Sequence, residues 1–271
     1  ADRKRYIKDL PALVKKLKQK NVYVIARLVS FKDPHLAASK AEYAMKRKDN
    51  GKRWRDSSGI LWVDPYKPEV RQYNLEIARE AVRLGFDEVQ FDYVRFPDNS
   101  KKVDQQVAYS NPSGLSKSDL IARFLSDAGA QLKPLGAFVS ADVFGLTTSS
   151  KDDMGIGQRW EQLTQQVDYI CPMMYPSHYS KGMYGIRYPD LKPYNIIHKG
   201  IADALQKNKA VNAQGAKAAT IRPWYQAFTA TWVKPHQRYG RTEVQAQIKA
   251  AKQLGVTEYL LWNPNCKYAH I

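Results

Sequence analysis

The chain has 271 residues, 44% of them hydrophobic, a length that α/β barrels reach as one unit, so it is read as a single domain over residues 1–271. No apolar run approaches the roughly 20 residues of a membrane-spanning helix, and no secretory leader is visible in the opening ADRKRYIKDL, although a cleaved one would leave no trace. The formal charge of +17, from 43 Lys and Arg against 26 Asp and Glu, attracts polyanions such as an anionic cell-wall polymer. The basic residues are scattered apart from 46–48, 52–55 and the amino-terminal stretch, and no nucleic-acid-binding motif accompanies them, so no specific nucleic-acid partner is expected.

Helical and strand patterns alternate along the chain. Residues 9–20 read as the end of an amphipathic helix, with Leu10, Leu13, Val14 and Leu17 at 3–4 spacing. A strand follows at 22–31. Residues 68–84 form a strong helix, with Pro68 just inside its start and Gly85 just past its end. The stretch 85–99, GFDEVQFDYVRFPDN, then carries an apolar strand over 89–94 with Asp92 between Phe91 and Tyr93. Alternation puts Gln90, Asp92 and Val94 on one face and Phe91, Tyr93 and Arg95 on the other. A carboxylate inside a buried strand is costly unless it is paired or used, so Asp92 is the first residue to carry chemistry.

Beyond it, residues 118–132 are helical, opened by Ser116 or Ser118, and 136–144 form the third strand. A helix over 160–166 leads into a strand at 169–174. A helix at 196–207 precedes a strand at 221–228. The last helix, 242–254 with Thr242 as its cap, precedes a strand at 259–262. Cys171 and Cys266 show no metal spacing. Cys171 falls in a predicted buried strand and reads as a small core residue, and a disulfide between the two stays open. No cofactor or metal is implied.

Strands separated by helices imply a parallel sheet, and these strands are near-continuously apolar, as parallel strands covered on both faces are. Polar and aromatic residues gather at their carboxyl ends: Arg27 and Lys32, Asp92 and Arg95, Asp142, Tyr175 and His178, Gln226, Trp262 and Asn263. That is where (β/α)8 barrels place their active sites. A doubly wound sheet would normally carry a glycine-rich phosphate loop, and none is present. The expected fold is therefore α/β, a (β/α)8 TIM-type barrel, with about six βα units visible. The first two strands are expected to be missing from this sequence, removed, supplied by a separate segment, or absent from an incomplete barrel.

Seven stretches resemble one bacterial glycoside hydrolase family, long carried as a domain of unknown function with a TIM-barrel fold: YVIARLVSFKDPHLA, WRDSSGILWVDPYKPEVRQYN, GFDEVQFDYVRFPD, DDMGIGQRWEQL, VDYICPMMYPSHYSKGMYG, IRPWYQAFT and YLLWNPN. They occur in the family's order from Val22 to Asn265. The resemblance implies a glycosidase acting on an extracellular or cell-wall polysaccharide, located outside the cell or at its envelope. It also implies a further strand–helix–strand segment upstream. Chitinase-like barrels share part of the layout, but their acidic run ends in a glutamate and none follows Asp92 here, so their substrate-assisted mechanism does not transfer.

Glycoside hydrolysis needs two carboxyl groups, one to protonate the leaving oxygen and one to attack or to activate water. Asp92 is expected as the nucleophile, kept ionised by Arg95 and its aromatic surroundings. Asp142 in FVSADVFG is expected as general acid/base, at a retaining-type separation of about 5–5.5 Å; capping of the following segment is its structural alternative. Asp152 or Asp153 could replace it as the acid. Asp64 reads as structural, capping the region of the 68–84 helix. Sugar recognition falls to Arg27, Arg95, Tyr175, His178, Trp224, Gln226, Trp262 and Asn263, with Trp262 as the stacking platform. Arg27 is also expected to pair with Asp92, and Trp54 and Trp62 to wall the cleft. Two other readings compete: a non-catalytic carbohydrate-binding barrel, and polyanion binding through the basic surface alone.

Overall fold

A computed structural model describes residues 7–269. The chain divides into two compact units, one made of residues up to 141 together with 155–157, the other of 142–154 and the residues from 158 onward. Among the described residues, no helix is long and apolar enough to cross a membrane.

In the first unit, helix α1 (Leu10–Gln19) is opened by Asp9, whose carboxylate accepts the Ala12 N–H at 2.9 Å. Strand β1 (Ile25–Val29), helix α2 (Pro34–Ser39) and the short strand β2 (Lys46–Arg47) follow. Helix α3 (Pro68–Arg83) stops where predicted, because Gly85 adopts φ +95° and turns the chain. Strand β3 (Glu88–Asp92) is buried at all five positions. Helix α4 (Ser100–Gln106), strand β4 (Val107–Ala108), helix α5 (Lys117–Leu132, capped by Ser116) and the part of strand β5 (Phe138–Phe144) up to Ala141 complete the series. β3 pairs in parallel with β1, Arg27 opposite Gln90 and Val29 opposite Asp92, and with β5 from Glu88–Phe138 to Phe91–Ala141. β2 and β4 pair antiparallel. The core beneath this sheet is apolar and aromatic: Phe31 and Phe91 both pack at 5.3 Å on Phe124 of α5.

The second unit continues with the short helix α6 (Trp160–Leu163), strand β6 (Tyr169–Met174), the long helix α7 (Pro193–Ala213), strands β7 (Thr220–Ile221) and β8 (Trp224–Gln226), helix α8 (Arg241–Lys252) and strand β9 (Leu260–Trp262). β6 pairs in parallel with β7 and with β8, and β8 with β9. Buried Asn208 of α7 gathers three of these elements. Its carbonyl oxygen accepts from Trp160 Nε1 (2.9 Å) and Thr164 Oγ1 (3.1 Å), and its amide donates to Ala219 O (2.9 Å).

Three expectations are corrected here. The strand predicted at 221–228 is two pieces in one register, Ile170 opposite Ile221 and Met173 opposite Trp224. Pro172 in β6 and Pro223 between the pieces lack the N–H groups that would carry the ladder across the gap. The cap of α8 is Gly240, whose N–H donates to the Glu243 carboxylate at 2.9 Å, and Thr242 lies inside the first turn. Asp64 does not cap α3, whose N-cap Lys67 makes no side-chain cap bond. Its two oxygens instead accept the N–H groups of Tyr66 (3.0 Å) and Ser110 (2.7 Å), tying two loops together.

Candidate functional site

In the first unit the chemistry gathers at the carboxyl end of β3. Asp92 is 2% exposed, and Arg27 Nη2 of β1 donates to its Oδ2. The parallel register puts Arg27 one pleat before the pair Val29–Asp92, so the long arginine reaches diagonally to the acid. Oδ1 accepts the Tyr93 N–H at 2.7 Å. That tight bond accompanies a left-handed Tyr93, φ 48°, which ends the strand. Burial raises the Asp92 pKa above the ordinary carboxylate value, against the opposing pull of Arg27, the Tyr93 N–H, Arg95 and Lys32.

The direct partner of Asp92 is thus Arg27, and Arg95 acts on it through charge. The turn at Tyr93 carries Arg95 into an aromatic cage, its guanidinium carbon 5.3 Å from the Trp62 ring and 5.1 Å from the Tyr93 ring. There Nη1 donates to Phe96 O at 2.9 Å and pairs with Asp98 at 3.1 Å. Lys32 lies over the same two rings and 3.5 Å from Asp56. Trp54 and Trp62 are buried in this unit, their indole N–H groups donating to Gln106 (2.9 Å) and Asp56 (3.0 Å). They stiffen the loop from within and present no open stacking face.

In the second unit, Asp142 is 1% exposed and its Oδ1 accepts the Trp224 indole N–H at 2.7 Å. Trp224 in turn meets Trp262 edge-on at 5.9 Å. Gln158 braces the backbone here, its amide donating to Asp142 O and accepting from Phe144 N. Asp152 is an exposed turn residue. Bonds from Met154 N (2.9 Å) and Ser150 Oγ (2.8 Å) hold its pKa down, the opposite of what a general acid needs.

Trp262 and Asn263 line a pocket of about 680 Å³ together with Tyr175, His178, Phe228 and Trp232. Tyr175, His178 and Phe228 pack edge to face around it. Desolvation lowers the His178 pKa against the pull of Asp190. Asn263 is spent on shaping the loop, donating to Ala227 O at 2.7 Å and accepting Asn265 N at 2.9 Å. Gln226 is fully buried behind the pocket. Its side chain donates to Asp190 and Phe228 O and accepts from Ser177 N, leaving it the work of a clamp. Neither cysteine is in a disulfide; Cys171 is buried and Cys266 exposed. Among the described residues no cluster of three or more His, Cys, Asp or Glu could hold a metal ion.

A family model described as "Putative glycosyl hydrolase domain" matches residues 1–268. The chain belongs to that family. A hypothetical protein from Ruminiclostridium thermocellum ATCC 27405 is 39% identical over 55% of this chain and 67% of its own, with a TM-score of 0.44. The PgaB (BpsB) glycoside hydrolase domain from Bordetella bronchiseptica is 15% identical, with 93% of this chain and 74% of that one covered and a TM-score of 0.60. The spore cortex-lytic enzyme SleL of Bacillus megaterium QM B1551 is 12% identical, with 94% and 59% covered and a TM-score of 0.53. The fold is thus that of TIM-barrel glycoside hydrolase domains. No curated protein matches the chain.

Sequence reasoning passed over Phe228, Trp232, Arg238 and Asn265, all of which line the pocket around Trp262. The available signal was FTATW: a tryptophan in a small, polar loop directly after a strand has little core to enter, and Trp232 is 66% exposed.

Proposed function

We propose that the chain hydrolyses a glycosidic bond of an extracellular or cell-wall polysaccharide, with Asp92 as nucleophile and Asp142 as general acid/base. The observation that carries this reading is a nearly inaccessible carboxylate at the end of a parallel strand, hydrogen-bonded to an arginine from the neighbouring strand. A guanidinium in that place orients the acid and favours its anion, as attack on an anomeric carbon requires. The Trp224 indole N–H, an uncharged donor, holds Asp142 at Oδ1 and orients the carboxyl group for proton transfer. Tyr175, His178 and Trp262 are assigned to substrate, Arg27, Arg95 and Trp224 to positioning the two acids, and Gln226 and Asn263 to the pocket's frame. The family match over nearly the whole length supports one catalytic domain.

The outer, wall-directed location draws support from one structural neighbour, the spore cortex-lytic enzyme SleL. β1 pairs only with β3 among the described residues and leaves Val29 43% exposed. A strand from a separate segment would add to that edge.

The deciding experiment is a glycan screen with wild type and Asp92→Asn side by side. Turnover by the wild type and its loss in the variant is the expected result. Equal turnover removes Asp92 from the chemistry, and retention of a glycan without turnover by either form favours a carbohydrate-binding barrel.

A further inference from the structure

The pocket beside Trp262 has one cation and no acid among its lining residues. Arg238 lines it, and Asp and Glu are absent from its walls. Arg238 is exposed and has no ion pair or hydrogen bond among the described residues. Asp190, the acid behind the pocket, is 2% exposed, with Oδ1 taken by Gln226 and Oδ2 by the Gln237 N–H, each at 3.1 Å. Next to this arginine, Trp232 is stacked on Phe228 with ring centroids 6.0 Å apart and planes at 16°. An exposed indole backed by a second ring is a flat apolar platform that gains from being covered. Thr229 and Asn265 complete the lining with hydroxyl and amide groups.

We propose that this pocket is a subsite for an acidic sugar residue, its ring laid on Trp232 and its anionic substituent met by Arg238. A carboxylate, sulfate or phosphate ester presents the paired oxygens that a guanidinium fork recognises. The inference rests on the reading of the domain as one that acts on polysaccharide, and adds that the polysaccharide is anionic.

The test is binding by the full chain carrying Asp92→Asn, so that no ligand is consumed. The probes are polygalacturonate and its carboxyl-reduced form, a sulfated galactan and its desulfated form, and a phosphate-bearing teichoic acid. At least one acidic probe should bind about tenfold more tightly than its neutral counterpart, or than the neutral glycans where no counterpart exists. Arg238→Gln should remove that preference. Trp232→Ala should weaken acidic and neutral binding alike. Lys209→Gln, an exposed charge change on α7, should change nothing. Both pocket residues are exposed, so the variants keep the fold, as circular dichroism would verify.

Absence of acidic preference in every comparison overturns the proposal. So does equal loss in Arg238→Gln and Lys209→Gln, which would assign binding to the diffuse +17 surface. Hydrolysis of a neutral glycan without acidic preference overturns the subsite alone. Preferential acidic binding with no turnover by the wild type overturns the hydrolase reading and leaves the subsite standing.

Discussion

Arg27 and Asp92 share an ion pair but not an environment: the arginine side chain is 34% exposed and the aspartate side chain 3%. The two ends of the pair therefore differ in what they lose when the other is removed. Arg27→Gln strands a buried carboxylate and should cost roughly 3–5 kcal/mol at neutral pH unless the acid takes up a proton. Asp92→Asn leaves a guanidinium that can turn to water, and should cost about 1 kcal/mol or less. Urea unfolding midpoints of both variants at neutral pH measure the asymmetry; equal losses would contradict it.

The pH dependence of stability follows from the direction of the Asp92 shift. Burial raises its pKa in the folded state, so folding binds this proton more tightly than the unfolded chain does. Its contribution is fully present below the unfolded pKa and is lost as pH rises through the folded one. Asn at this position does not titrate. The stability of Asp92→Asn relative to wild type should therefore increase between about pH 4 and pH 7, a range that starts near the ordinary carboxylate value. A flat difference across that range would show that Arg27 cancels the burial cost.

Trp224→Phe keeps an aromatic ring but deletes the N–H that holds Asp142. A hydrogen bond to a charged group contributes roughly 1.5–3 kcal/mol, so kcat should fall roughly 10- to 100-fold. KM should move little if the tryptophan acts by orienting the acid, whereas a rise in KM at constant kcat would make it a sugar contact.

Gly145 sits directly after β5, where a built side-chain carbon would lie 2.5 Å from Met173 O and 2.8 Å from Tyr179 Oη. The backbone oxygen cannot move aside, so Gly145→Ala should destabilise by about 1–3 kcal/mol, the usual cost of overpacking. Thermal unfolding of the variant checks this, and an unchanged midpoint would mean that β6 yields.

Much of this arrangement was legible because it depends on periodicity. Apolar runs of strand length, helices closed by Gly85 or opened by Ser116, and the awkward Asp92 all declare themselves locally. The Arg27–Asp92 pair was legible too, since the two residues lie close in register on neighbouring parallel strands. Arg95 was harder to place. Alternation assigns it a face only if the strand continues, and the left-handed Tyr93 stops the strand one residue after Asp92. Gln226 reads like a substrate ligand, being polar at a strand end, but its burial depends on Asp190 and Ser177, which lie far from it in sequence. Trp232 and Arg238 occupy an irregular loop, where periodic reasoning has nothing to count.

The facing prolines of β6 and the β7–β8 gap bear on how the second unit transmits strain. β7 is moored at its start through Ala219, whose carbonyl accepts from Asn208 and whose N–H donates to Thr164. β8 carries Trp224, the donor to Asp142. Between them lies a step where Pro172 and Pro223 supply no ladder donor and the Arg222 N–H, donating to Ile170 O at 3.0 Å, carries the pairing. The mooring and the indole are joined by a thinned ladder: damage to the Asn208 hub should loosen α7 before it misaims Trp224, and a ligand that nudges Trp224 should strain this step before it disturbs the helices behind it.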